Sequence, residues 1–156
     1  MKIRKAKKGD EKELGELFKQ FWEVHKNIDP ILVPAKKLAS KDYVQQAKES
    51  IKENGKYLFV AVESGKIVGF IDFYIKKNDK FFKVKKYGYL DSVVTHKDYR
   101  RKGIARGLTK FAINFLKKKG IRYVRAKVDN SNKIALQAWV KIGFKSKNTG
   151  LLMRLG

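Results

Sequence analysis

The stretch from residue 87 to residue 119 restricts the fold most: a strand enters a cationic turn, and the turn enters a helix. Branched and aromatic residues run from Tyr87 to Thr95, the strand composition. A helix is predicted over residues 103–119, with Ile104, Leu108, Phe111, Ala112 and Phe115 on one side. Lys117, Lys118 and Lys119 suit its C-terminus and Gly120 its termination. A helix start exposes unpaired backbone N–H groups and the positive end of the macrodipole, so it attracts anions. Gly103 lets a phosphate approach the backbone, Ala105 is nearly as small, and Gly107 is expected to keep the first turn open. Arg100, Arg101, Lys102 and Arg106 add positive charge at the same point. The turn is therefore predicted to bind a pyrophosphate.

Exclusion narrows the ligand. The turn lacks the Gly-Lys-Ser/Thr ending of a nucleotide-triphosphate loop. The run Gly103-Ile104-Ala105-Arg106-Gly107 misses the spacing of the dinucleotide fingerprint, and no acidic ribose partner stands about 20 residues on.

The rest of the chain supplies a sheet around this junction. Ile3 to Ala6 reads as a short strand, and Asp10 with Glu13 as a capping box opening a helix. Leu14, Leu17, Phe18, Phe21 and Trp22 form that helix's apolar stripe. Asp29-Pro30 and Val33-Pro34 end it, and a second helix is predicted over residues 40–53 before Asn54-Gly55. Residues 57–62 and 67–75 read as strands joined by a tight hairpin at Ser64-Gly65, and Asn78-Asp79 marks a further turn. A strand over residues 123–128, a helix over 131–142 closed by Gly143, and a last strand over 151–155 complete the pattern. Strands in a run, then strands alternating with helices, indicate an α/β (α+β) domain with a mixed sheet and helices on its faces.

Composition removes whole classes of function. With no cysteine there is no disulfide, thiol catalysis or thiolate metal site. His25 and His96 are the only imidazoles and stand far apart in sequence, so no metal site is expected. No apolar run is long enough to span a bilayer, and Met1 to Lys5 lacks the apolar core of a signal peptide. A cytoplasmic protein without membrane attachment is expected. The net charge of +23 bears on partners rather than on fold. The lysines are spread from end to end, which fits a solvated lysine-rich surface.

Two blocks carry a resemblance. Arg100-x-x-Gly103-x-Ala105, within Tyr99-Arg100-Arg101-Lys102-Gly103-Ile104-Ala105, resembles the Gln/Arg-x-x-Gly-x-Gly/Ala signature of the GNAT superfamily of N-acetyltransferases. Independently, Asn132-x-x-Ala135-x-x-x-Trp139-x-x-x-Gly143-Phe144 is similar to that superfamily's second block, which usually has tyrosine where Trp139 stands. The two blocks occur in the family's order, and the resemblance covers essentially the whole chain, one domain over residues 1–156.

The resemblance implies a central, mostly antiparallel sheet of about six or seven strands, splayed in the middle, with about four helices. It implies acetyl-CoA as cosubstrate and an amine acceptor, either a small molecule or a protein N-terminus or lysine. Backbone groups of Val93, Val94 and Thr95 would pair with pantetheine, and those from Arg101 through Lys102, Gly103, Ile104 and Ala105 to Arg106 would hold the pyrophosphate, beside Arg100. Asn132 would bind the pantetheine arm while capping its helix, and Trp139 would border the cofactor. Asp91, the carboxylate on the strand leading to the acetyl group, is the expected base, with Tyr89 two residues earlier as a relay. Indole N–H does not ionise near neutrality, so Trp139 cannot be the acid that protonates the departing thiolate. A homodimer is implied only by the family. The alternative is a basic nucleic-acid- or ribosome-associated protein on the same fold with little or no catalysis, suggested by the charge and by Phe81-Phe82 among lysines.

Overall fold

The alternation of branched and aromatic residues in the middle of the chain builds a hairpin around which the other elements assemble. Strand β2 (Lys56–Glu63) and strand β3 (Lys66–Lys77) are joined by Ser64 and Gly65, both at positive φ (49° and 78°). Two left-handed residues match the twist of paired strands, which explains the tight turn read from Ser-Gly. This computed structural model describes residues 1–26, 28, 31, 33, 34, 37–147 and 153.

Strand β1 (Lys2–Lys5) leads to helix α1 (Glu11–His25) and helix α2 (Ser40–Lys52). After the β2–β3 hairpin come β4 (Lys86–Thr95), a short 3₁₀ turn at Lys97–Tyr99, α3 (Ile104–Lys118), β5 (Val124–Ala126) and α4 (Lys133–Ile142). Among the described residues five strands form one sheet in the order β1-β2-β3-β4-β5. All neighbours are antiparallel except β4 and β5. The sheet is thus mixed, with five strands where six or seven were expected. The expected strand over residues 151–155 lies outside the described residues, Met153 excepted, as does the expected helix break at Asp29-Pro30.

Each face of the sheet buries its own core. On one side Leu14, Leu17 and Phe18 of α1 and Tyr43 and Ala47 of α2 pack on Leu58, Val60, Phe70 and Val94. On the other, Ile104, Leu108, Ala112 and Leu116 of α3 pack on Ala61, Val68, Ile71, Phe73 and Leu90. The stripe in α3 appears as read, and Gly103 and Gly120, at φ 79° and 75°, bound the helix.

The predicted capping box of α1 does not form. Asp10 sits at the N-cap position with helical φ and ψ and makes no side-chain cap. Its carboxylate is instead gripped by both Arg4 nitrogens, at 2.7 and 2.9 Å, and by the Lys7 N–H at 2.9 Å. Glu13 reaches away to the Ile67 N–H at 3.2 Å. A partly buried bidentate arginine is a stronger partner for a carboxylate than one helix amide, so the tertiary contact wins. At Gly107 a Cβ would stand 2.7 Å from Met1 Cε, the far end of a flexible, exposed side chain that can move aside.

Candidate active site

Strand β5 pairs with β4 over three residues, Gly88 with Val124, Tyr89 with Arg125, and Leu90 with Ala126. Beyond Leu90 the two strands part, and β4 continues to Thr95 with pairing to β3 alone. The second half of β4 thus presents backbone polar groups toward an opening, the arrangement to which an extended ligand adds as a strand. The expected strand over residues 123–128 is reduced to Val124–Ala126, and among the described residues no strand lies beside its later residues.

A cleft of about 390 Å³ fills this divergence. Val93 borders it from β4, Lys127 and Val128 from the chain after β5, and Phe21, Trp22 and His25 from α1. Of the residues singled out in the sequence, Asp91, Tyr89, Val93, Asn132 and Trp139 all meet here. Val94 turns its side chain into the α1-side core, leaving only its backbone for a ligand. Arg100 to Arg106 are not among the residues lining the cleft; they follow the end of β4.

At that end the anion-binding features read from the sequence are present in three dimensions. Arg100, Arg101, Lys102, Gly103, Ala105 and Arg106 are exposed, while Ile104 is anchored in the α3-side core. Arg101 adopts φ 64° and Gly103 φ 79°, left-handed conformations that curl the turn. For arginine that conformation costs about 1 kcal/mol, a strain found at ligand-binding turns. The first hydrogen bond closing α3 runs from the Gly107 N–H to Gly103 O at 2.9 Å. The N–H groups of Ile104, Ala105 and Arg106 precede it and are left for an outside acceptor. Nothing lies within 4 Å of where a Cβ on Gly103 would be, so the approach is open. Thr95 Oγ1, just before the turn, is buried without a hydrogen-bond partner, a polar atom left over beside the proposed ligand path. Unpartnered amides, open space and four cations fit a pyrophosphate.

Helix α4 contributes Asn132 and Trp139. Asn132 Oδ1 accepts the Ala135 N–H at 3.1 Å, the N-cap role anticipated, while the residue borders the cleft. Trp139 stacks edge-on against Phe144 with ring centroids 5.0 Å apart. His96 caps the 3₁₀ turn, its Nδ1 accepting the Asp98 N–H at 3.3 Å, and does not border the cleft.

Asp91 is exposed at the cleft and is the extra residue of a β-bulge: the ladder passes from Asp72–Ser92 directly to Phe73–Leu90. The bulge resets the alternation, so Leu90 and Val93 both pack on the α3 side. Tyr89 is half-buried; burial and then the neighbouring Asp91 charge raise its phenol pKa above the ordinary value. Lys76 Nζ lies 3.9 Å from its ring centroid.

Two cleft residues escaped the sequence reading. Asp72 is 2% exposed. Its Oδ2 lies 3.3 Å from Lys56 Nζ, and Lys56 also reaches Glu53 Oε2 at 3.0 Å and Ser50 Oγ at 2.9 Å. Burial pushes the Asp72 carboxyl up to about 6, with Lys56 opposing the shift and Asp91 adding to it. Burial works against the Lys56 ammonium, but the charge of Asp72 and the bonds to Glu53 and Tyr74 outweigh it and hold it above the usual lysine range. The signal was a charged residue inside the apolar run Phe70-Ile71-Asp72-Phe73, where burial of a carboxylate requires a partner.

Comparison with known proteins agrees with this arrangement. A 65-residue stretch is 34% identical to the GCN5-related N-acetyltransferase 6, chloroplastic, of Arabidopsis thaliana, covering 42% of this chain and 23% of that protein. This chain thus spans about a quarter of that curated relative. The fold matches a tetramutant of the BH1408 protein from Bacillus halodurans with TM-score 0.84 at 18% identity, covering 99% of this chain and all of that one. It matches the aminoglycoside N-acetyltransferase AAC(6')-Iy in complex with CoA with TM-score 0.76 at 19% identity, over 99% and 93% of the two chains. The acetyltransferase (GNAT) family profile matches residues 14–144, a span that holds both the strand–turn–helix junction and the cleft, and the chain belongs to that family.

Proposed function

We propose that this protein transfers the acetyl group of acetyl-CoA to a primary amine by direct attack within a ternary complex. The observation that carries the reading is one continuous path. It leads from the unpartnered N–H groups opening α3, along the unpaired side of Val93 to Thr95, to the cleft where β4 and β5 part. A pyrophosphate seated at the turn would lay pantetheine along β4 and deliver the thioester near Asp91.

The thioester supplies the electrophilic carbonyl. Asp91, through a water, takes the proton of the attacking amine, and Tyr89 lies beside it as a relay. The N–C bond forms, the C–S bond breaks, and the electron pair leaves on sulfur. Trp139 has no proton to give, and a thiol of pKa about 8.5 leaves readily as thiolate. Asn132 supports the pantetheine arm.

The acceptor enters from the α1–α2 side, where Phe21, Trp22, Gln46 and His25 border the cleft. With Asp72 neutralised by Lys56, Asp91 and Asp129 are the carboxylates at the cleft available to an acceptor's ammonium, beside Lys127. The aminoglycoside N-acetyltransferase neighbour supports an amine acceptor of that broad kind.

Calorimetric titration with acetyl-CoA tests the reading. Micromolar binding is expected for the native chain and none for Gly103→Trp, whose indole would occupy the phosphate approach. Absence of affinity for any acyl-CoA in the native chain would refute it.

A second reading, an anionic macromolecular partner, rests on Phe81 and Phe82, 84% and 58% exposed in the β3–β4 loop among lysines. Steeply salt-dependent RNA or DNA binding, lost in a Phe81→Ala/Phe82→Ala double variant, would favour it.

A further inference from the structure

A buried carboxylate that the chemistry above does not use stands directly behind the proposed base. The β3–β4 ladder runs regularly from Gly69–Thr95 to Asp72–Ser92, then skips Asp91 and resumes at Phe73–Leu90. A bulge of this kind leaves a backbone group without its ladder partner. Under the α1–α2 layer an orphaned amide is costly, so something must replace the missing acceptor. The replacement is a side chain: the Ser92 N–H donates to Asp72 Oδ1 at 2.7 Å.

We propose that Asp72 is the positioning residue of this site: its carboxylate takes the Ser92 N–H, fixes the bulge in β4 and so turns Asp91 into the acceptor side of the cleft. This rests on the reading of Asp91 as base.

The surroundings of Asp72 are built for that task. Its second oxygen is held by Lys56, which is fixed by Ser50 and Glu53, and Glu53 accepts the Tyr74 hydroxyl at 2.7 Å. Four groups from β2, β3 and the end of α2 thus hold one carboxylate in place. An apolar residue at position 72 would fill the space but strand the Ser92 amide. An asparagine would still accept that amide through its carbonyl oxygen. The ionisable groups facing Asp72 are Lys56 from β2, Glu53 after α2, Tyr74 on β3, Asp91 and Tyr89 on β4, and His25 across the cleft on α1. Asp91 adds to the upward shift of Asp72, so the two carboxyls stand within electrostatic reach of each other.

The test combines amide exchange with kinetics on the full-length chain carrying Asp72→Ala, Asp72→Asn, Asp91→Asn, and Asp72→Ala with Asp91→Asn. In Asp72→Ala, Ser92 amide exchange measured by NMR should accelerate at least ~10-fold. Its kcat should fall at least ~10-fold while the KM for acetyl-CoA changes less than ~3-fold, because the cofactor path lies further along β4. Asp72→Asn should restore Ser92 protection and most of the lost turnover. The double variant should be no slower than Asp91→Asn alone, because Asp72 acts through Asp91. Unchanged Ser92 exchange in Asp72→Ala, loss of Ser92 protection in Asp72→Asn, or additive losses in the double variant would each overturn the proposal. Asp72→Leu, which fills the space without an acceptor for the Ser92 amide, carries the same exchange and kinetic test if Asp72→Ala does not fold. Full turnover in Asp91→Asn would instead sink the base reading beneath it.

Discussion

Gly69 approaches Val94 so closely that a Cβ on Gly69 would stand 2.6 Å from the Val94 carbonyl oxygen. It would also meet Ile104 Cγ2 at 3.1 Å and Leu108 Cδ1 at 3.4 Å. The absent side chain lets α3 settle against the sheet at the point where β4 ends and the anion turn begins. Gly69→Ala must therefore move backbone, at a cost of roughly 1–3 kcal/mol. Urea denaturation should report that loss, and acetyl-CoA affinity should fall with it because Val94 and Ile104 flank the proposed ligand path. Unaltered stability would mean that the strand and helix give way freely here.

Asp91 borders the cleft, and among the described residues no Lys, Arg or His forms an ion pair with it. Asp91→Asn keeps size and polarity and removes proton affinity. Turnover, followed as released thiol, should drop by roughly 10²- to 10⁴-fold while acetyl-CoA affinity stays near native. Native turnover would end the assignment.

The Arg4–Asp10 pair ties β1 to the start of α1. Burial alone would raise the Asp10 carboxyl, but Arg4 and the Lys7 N–H outweigh it and hold its pKa below the ordinary value. Its contribution is thus fully present above the unfolded carboxylate pKa of about 4 and is lost as pH falls through the lower folded value. Asp10→Ala should cost about 1–3 kcal/mol near neutrality, and the gap to native should close in strong acid. A pH-independent gap in thermal melts would contradict the pairing.

Lys56 neutralises a carboxylate that has almost no contact with water. Lys56→Met leaves Asp72 uncompensated and should cost about 3–5 kcal/mol near neutral pH. The sign of the pH dependence is opposite to that of Asp10. Asp72, already at about 6, rises further, so stability is regained as pH falls through the folded value toward the unfolded one. Denaturation at about pH 8 and about pH 5 should show the deficit shrinking in acid. A deficit that does not change with pH would show that Lys56 acts through packing alone.

The readings that succeeded are those whose causes are local. The bounds of α3 follow from a 3.6-residue apolar stripe between Gly103 and Gly120, and the hairpin from Ser64 and Gly65, residues that accept positive φ. The readings that failed depended on competition across the fold. Asp10 and Glu13 have capping-box spacing, but the spacing cannot reveal that Arg4 and the Ile67 amide would claim their carboxylates. Strict alternation puts Tyr89 and Asp91 on one face but cannot reveal that Asp91 is the extra residue of a bulge, because a bulge depends on the neighbouring strand.

The sequence by itself determined the family, through two blocks in their order, and the main helices and the hairpin, because these rest on backbone preferences and spacings within about twenty residues. Tertiary structure alone decided where β4 and β5 part, which carboxylates share the cleft, and that Asp72 stands behind Asp91. The reason is physical. A charge inside an apolar strand is unfavourable until a specific amide and ammonium are brought to it, and Ser92 and Lys56 reach Asp72 only once the sheet has formed.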